Sequence, residues 1–476
     1  MSLRAVDLVV AAPHALTMAG AGVGYREDFA LAVEAGKIVA TGKREEILGT
    51  YSPGDLLYRE STLLLPGFVD AHCHMEMSVL RGVAQDTSDW MMSGLVPFKR
   101  HLTREDRRAG FLLGVMEALA AGTTTIGNYD DEMHDESAAA ERIGIRAHLT
   151  QLFREVPDRV YAPGELYDID RGLGRGSLER MLDLFDRWDG KAEGRIRVLF
   201  GPMGPDFVSL ETLKEIRLHA LERKTKVHLH VAQGDRETAQ MLMRYGKRPV
   251  PWLAEQGFLD ESLIAVHLTD ATDEEARTVA RSGASMALCS NSIGIIDGIV
   301  PPAKVFREAG GLVALGSDQA PGNNNHNMFS EMHATALFNK IKFSDPEVMP
   351  AWEVLRMATI DGARAVGLGE TTGSLEEGKR ADFILLDLTA PGMMPVFTRP
   401  MRNLVPNLVY GCRGNEVLLT AVDGRVLYRD GRYLTLDEGE VRGNLCCLAE
   451  RIGRQAEEEF VRLRGTNAVF MEDGRL

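Results

Sequence analysis

The apolar positions of this chain change period twice. Up to Thr62, short apolar runs alternate with turn residues: Val6-Asp7-Leu8-Val9-Val10, Phe29-Ala30-Leu31-Ala32-Val33 and Lys37-Ile38-Val39-Ala40, punctuated by Gly36 and Gly42. Such runs predict strands and turns, and no long helical period precedes His74. From Phe68 onward, short apolar strands alternate with amphipathic helical stretches. Strands are predicted at 68–74, 123–128, 146–152, 195–203, 226–233, 263–269, 285–290 and 312–318. The stretch 102–122 predicts a helix, with Thr103 as N-cap, Asp106 three residues on and Gly122 as the stop.

Strand–helix alternation implies parallel strands joined by right-handed crossovers. Eight such units over about 300 residues predict a closed (β/α)8 TIM barrel. An open doubly wound sheet is the alternative, but no GxGxxG follows any strand. The helical pattern ends near Gly367, and strand texture returns at 381–386, 417–422 and 424–427. The expected α/β architecture is therefore a barrel over 66–368, inserted into a small β-sandwich domain formed from both chain termini, 1–65 and 369–476. The segment 444–464 reads as a charged helix on the outside.

Composition narrows the partners. A net charge of −15 over 476 residues argues against nucleic acid and anionic membrane surfaces, both of which require basic patches. The five cysteines, Cys73, Cys289, Cys412, Cys446 and Cys447, are odd in number and show no CxxC spacing. That pattern reads as free thiols in a reducing compartment. No signal pattern opens the chain, and no apolar run approaches about 18 residues. A cytoplasmic protein is expected.

The chemistry lies at strand ends. His72 and His74 are spaced by one residue, so on a strand they share a face while Cys73 points away. In a barrel of parallel strands, active groups gather at the carboxyl ends. The fifth strand carries His228 and His230 there, the sixth His267, and the eighth ends in Gly316-Ser317-Asp318. Five of the twelve histidines thus fall at strand ends, which buried structural histidines would not do. Mixed imidazole and carboxylate groups suit a divalent metal: zinc, with iron or manganese as alternatives. The fourth strand has no lysine to carry a bridging group, which argues for one metal. Such an ion brings a water's pKa near ~7 and supplies hydroxide at neutral pH. Asp318 is placed to take that water's proton, and His267 to polarise the electrophile or hold the water.

These motifs resemble the amidohydrolase superfamily, in its branch of cytosine, guanine and adenosine-type deaminases and s-triazine hydrolases. Pro66-Gly67-Phe68-Val69-Asp70-Ala71-His72-Cys73-His74 with Leu80-Arg81-Gly82 is similar to the first-strand signature. Ala121-Gly122-Thr123-Thr124-Thr125 matches the second, and Gly316-Ser317-Asp318 with Asn323-Asn324-Asn325 and Met328-Phe329-Ser330-Glu331-Met332 the eighth. Gly373-Ser374-Leu375-Glu376-Glu377-Gly378-Lys379-Arg380-Ala381-Asp382 is similar to the return to the small domain. The resemblance implies one metal held by His72, His74, His230 and Asp318, with His267 catalytic or a further ligand, and a homodimer.

Two departures stand out. Where the family usually has His-x-x-Glu, with the glutamate shuttling a proton to a ring nitrogen, this chain has His230-Val231-Ala232-Gln233. An amide cannot donate and regain a proton as a carboxyl does. The proton must come from Asp318 with His267, or from Glu76, Asp206 or Asp235. After the fourth strand, the family's Pro-His-Ala-Pro is Pro202-Met203-Gly204-Pro205-Asp206 here.

The expected enzyme is a metal-dependent aminohydrolase. Metal-bound hydroxide attacks an sp² carbon of a small nitrogen heterocycle, Asp318 accepts the water proton, His267 stabilises the oxyanion, and ammonia or an amine leaves. Trp90, Met203, Gln233 and His326 are the candidate substrate contacts, with Phe98, Met91 and Met92 as further wall residues. Gln233 leaves a second reading open: hydrolysis of an amide, urea, carbamate or C–Cl bond that needs no ring protonation. A third reading is a metal-binding homologue without turnover. Cys289 reads as buried rather than reactive, and Arg81 as structural.

Overall fold

The computed structural model describes residues 3–87, 89–159, 161–162 and 164–476, and leaves out the side chains of Asn444 and Cys446. The free-thiol expectation for Cys446 therefore lies outside the described residues. Cys73, Cys289, Cys412 and Cys447 are free thiols.

The barrel strands are Phe68–His74, Thr123–Asp130, Arg146–Phe153, Ile196–Pro202, Val227–Val231, Leu263–His267, Ser285–Leu288 and a last strand in two pieces, Val313–Leu315 and Asp318–Gln319. Neighbours pair in parallel around the ring. The divided last strand closes it. Its first piece pairs with the seventh strand, Met286 opposite Val313, and its second with the first strand, Asp318 opposite Cys73 and Gln319 opposite His74. Gly316 stands at the division because no side chain fits there: a Cβ would lie 2.8 Å from the His72 carbonyl oxygen and 3.0 Å from Cys289 Sγ. The strands are buried along their whole length, as strands covered on both faces must be.

The helix Arg104–Ala120 begins as its capping box requires. Thr103 accepts from the Asp106 amide, and the Asp106 carboxylate accepts from Thr103 N at 2.7 Å. It stops before Gly122, at φ +84°.

Both chain ends build one mixed nine-stranded sheet. The strand Arg4–Leu16 forks it, pairing antiparallel with Tyr25–Glu34 and, on its other edge, parallel with Tyr51–Tyr58 and then Thr62–Pro66. Phe383–Asp387, Val417–Val422 and Arg425–Arg429 extend it from the C-terminal side. A short helix, Arg44–Thr50, also sits here. Seven residues are too few for a helical period to stand out in sequence, and the Glu46 carboxylate secures the turn by accepting from Lys43 N at 3.1 Å.

A buried ion cluster joins sheet and barrel at the floor. The Arg146 guanidinium, 1% exposed, meets Asp382 at 2.7 and 3.0 Å and Asp423 at 2.7 Å. The last long helix, Glu438–Leu463, starts earlier than its apolar pattern suggested because Asp437 caps it. Its Leu448 and Ile452 pack with Met77, Leu80 and Leu95, bracing the loop that follows the first barrel strand. Phe98 belongs to this packing, 5.5 Å from the Phe460 ring, and not to the pocket.

Candidate active site

His72, His74 and His230 offer ring nitrogens that converge within 4.8 Å of one another, and the ring nitrogens of His72 and His267 converge likewise with a carboxylate oxygen of Asp318. The rings are oriented from behind. His72 Nδ1 and His228 Nε2 lie 3.0 Å apart, and His228 Nδ1 lies 3.0 Å from Thr150 Oγ1. Protons on Nδ1 of both rings satisfy this chain and leave the His72 Nε2 lone pair free. His72 Nε2 is buried with no hydrogen-bond partner among the described residues. His230 Nδ1 donates to the Met203 carbonyl at 2.7 Å, which likewise frees its Nε2. Burial, then the charge on His267, pushes His230 down to about 3. Burial also pushes His72 and His74 well below 6.5, so all three are neutral at pH 7.

Asp318 stands beside them. Its Oδ1 stands 3.6 Å from both His72 Nε2 and His74 Nε2. Ligands about 2.0–2.2 Å from one tetrahedral ion are about 3.3–3.6 Å apart, the spacing at which Asp318 stands from His72 and His74. Its Oδ2 accepts from Ser292 Oγ at 2.5 Å. Burial would push this carboxyl up; the charges on His267 and His74 and the Ser292 hydroxyl outweigh it and hold Asp318 below its ordinary value. Asp318 takes φ +58° and His267 φ +75°. Such backbone in non-glycine residues is typical of sites that the surrounding fold forces into place. His267 is fully buried, and neither ring nitrogen has a partner among the described residues.

His326 is not brought to the pocket. Its ring is fully buried, with Nδ1 2.8 Å from Ser317 Oγ and Nε2 3.1 Å from Ser78 Oγ. Ser317 also donates to Asp70, from N at 2.9 Å and Oγ at 2.5 Å. Both nitrogens of His326 are thus engaged in holding the residue before Asp318, and it lies beneath the site rather than against substrate. Arg81 is structural, paired with Glu117 and the Asn324 carbonyl. Cys289 is buried, and burial pushes its thiol well up.

A pocket open to solvent lies above the histidines, about 890 Å³ when the open space at its mouth is counted. Trp90, Met91, Met92, Met203 and Gln233 line it together with His74, His230 and Asp318. A second lobe, with Gln233, Arg236, His267 and Asp297, opens from the same centre. Arg154, Arg236, Tyr161 and Tyr167 also line these lobes. Arg154, Tyr161 and Tyr167 stand on the loop after a strand and Arg236 on the first turn of a helix, and none has a motif spacing that could have marked it. Of the alternative proton sources, Glu76 is buried outside the pocket lining, and burial and Glu136 push it up to about 8. Asp206 faces Arg236 at 3.3 Å. Asp235 lines the second lobe.

Fold and site define a metal-dependent hydrolase working at the carboxyl rim of a (β/α)8 barrel. The chain belongs to the amidohydrolase family, whose sequence profile matches residues 63–427, and it is a carbon–nitrogen hydrolase of the deaminase kind. It is 32% identical over 438 residues to a 5-methylthioadenosine/S-adenosylhomocysteine deaminase of Desulforamulus reducens, covering 91% of this chain and 94% of that one. A 5'-deoxyadenosine deaminase of Methanosarcina mazei is 31% identical over 91% of this chain and 96% of its own. The crystal structure of an adenosine deaminase from Xanthomonas campestris with bound zinc superposes with a TM-score of 0.86, at 27% identity, covering 95% of this chain and 99% of that one. Among the described residues no helix is long and apolar enough to cross a membrane.

Proposed function

We propose that this chain is a zinc-dependent deaminase that hydrolyses the 6-amino group of a 5'-substituted adenosine. The observation that carries the reading is the meeting at His72 of two possible ligand groups, His72 with His74 and His230 and His72 with His267 and Asp318, at the foot of an open pocket. The names of the relatives supply the adenosine class.

His72, His74, His230 and Asp318 would hold a divalent ion, which would lower the pKa of a bound water toward about 7 and polarise the electrophile. The residues do the rest. Asp318, held ionised, takes the proton of the attacking water and returns it to the departing nitrogen as ammonia leaves. His267, which burial keeps neutral, would hold the attacking water by a hydrogen bond. Trp90 and Met203 flank the ring, and Gln233 binds the ring nitrogen. The reading includes a cytoplasmic homodimer acting on a free small molecule, in keeping with the net charge of −15.

Gln233 favours a second reading on one point. Lacking the carboxyl, the site suits leaving groups that depart without ring protonation, so amide, urea, carbamate or C–Cl hydrolysis is the competitor. Ammonia release from 5'-methylthioadenosine and adenosine by zinc-loaded protein separates the two. The deaminase reading expects metal-dependent release that His72→Ala abolishes. Release from no aminopurine, with turnover of a chlorinated or amide substrate, rejects it.

A further inference from the structure

The Gln233 side chain has a fixed sense. Its Oε1 accepts from Arg236 Nη2 at 3.4 Å. A guanidinium only donates, so the amide oxygen faces it and the amide NH2 faces away. Arg236 is itself held: Nη1 donates to the Tyr167 hydroxyl at 2.9 Å and meets Asp206 at 3.3 Å, and the guanidinium lies 5.1 Å from the centre of the Phe207 ring. The backbone below is anchored too, with Ala232 N and Gln233 N donating to Glu237 at 3.0 and 2.7 Å. Among the described residues Gln233 Nε2 has no acceptor, and Gln233 lines both lobes of the pocket with Asp318.

We infer that Gln233, oriented by Arg236, is a specificity-determining donor that selects a ring whose nitrogen beside the reacting carbon is an unprotonated acceptor. This rests on the deaminase reading and sharpens its substrate class. In a 6-aminopurine, N1 offers a lone pair to Nε2–H. After water replaces ammonia at C6, the 6-hydroxyl product tautomerises and N1 carries a proton. Two donors then face each other, so the product is expelled. A site built around a hydrogen bond rejects the ligand that cannot make it. Arg236 acts through Gln233 and is a positioning residue.

Three probes test this on the zinc-loaded full chain by calorimetric titration. 6-Methylpurine ribonucleoside has the N1 acceptor and a group that cannot leave, its 1-deaza analogue has C–H there, and inosine has N–H. The acceptor probe should bind about tenfold tighter than the 1-deaza analogue, as one hydrogen bond allows, and at least as far ahead of inosine. Gln233→Leu should bring the first ratio within about twofold. Arg236→Leu should shrink it and favour inosine, because the amide is then free to turn, while Arg236→Lys, still only a donor, should restore it. Equal binding of the three probes by the parent chain, or an unchanged ratio in Gln233→Leu, overturns the inference and leaves the deaminase reading standing. Binding of none of them overturns that reading, and the inference with it.

Discussion

Replacing Ser292 by alanine tests how the carboxylate at the metal centre is held. Asp318 turns Oδ1 toward His72 and His74 and gives Oδ2 to the Ser292 hydroxyl at 2.5 Å. The carboxylate is 4% exposed, so water cannot replace that donor. A hydrogen bond to an ionised group is worth about 1.5–3 kcal/mol, or roughly 10- to 150-fold in an equilibrium constant. Ser292→Ala should therefore weaken zinc binding by about that factor and let the Asp318 pKa rise, since burial pushes it up and one of the opposing groups is gone. Chelator competition near neutral pH reads the affinity, and steady-state ammonia release reads turnover. We expect kcat to fall with the affinity while KM moves little, because Ser292 does not line the pocket. Zinc affinity within twofold of the parent, together with unchanged turnover, would refute the idea that Ser292 holds the carboxylate.

Three further outcomes follow. Gln233→Glu places a carboxylate beside Arg236, which keeps it ionised and removes the donor, so kcat/KM on 5'-methylthioadenosine should drop at least about tenfold; a rise would mean that proton delivery at this position limits the native reaction. Burial, and then the charges of Arg197, Arg146 and Lys226, hold His148 at about 3, against 6.5 when unfolded. Its folded pKa is depressed, so stability is whole above 6.5 and is lost as pH falls toward 3. Near pH 4 this single group costs about 3 kcal/mol, so His148→Gln should lose about that much less between neutral pH and pH 4 in urea unfolding, and equal losses would contradict it. Asp382→Ala strips the buried Arg146 of its two-pronged partner and should cost about 3–5 kcal/mol. At about 1 kcal/mol/K for a chain of 476 residues, that is a Tm drop of about 3–5 °C by scanning calorimetry, with activity per folded molecule retained because the cluster sits at the barrel floor.

The barrel was legible because short strand-like runs alternate with amphipathic helical stretches along the chain. His72 and His74 were legible because a strand's period of two puts them on one face. Ser292, Thr150 and Arg236 were not. Ser292 lies 26 residues before the carboxylate it contacts, and Thr150 78 residues before His228, so only the closed ring brings them together. Gln233 stood out in the sequence as a departure, but the direction of its amide depends on a guanidinium three residues later on the following helix. His326 misled for the opposite reason. A histidine in the loop after Asp318 reads as a pocket residue, yet the chain folds that loop under Ser317, where two hydroxyls take both ring nitrogens. The divided last strand was unreadable too, since Gly316 marks a crowding against His72 and Cys289 that exists only after closure.

The central claim is that one divalent ion, held by His72, His74, His230 and Asp318, makes this chain a deaminase. The most direct measurement strips the protein with a chelator, returns zinc in steps and follows ammonia release from 5'-methylthioadenosine. The account predicts no release from the stripped chain, a linear rise that saturates at one zinc per chain, and a flat line for His72→Ala. Release from the stripped chain at the rate of the loaded one, or saturation only at two zinc ions per chain, would contradict it.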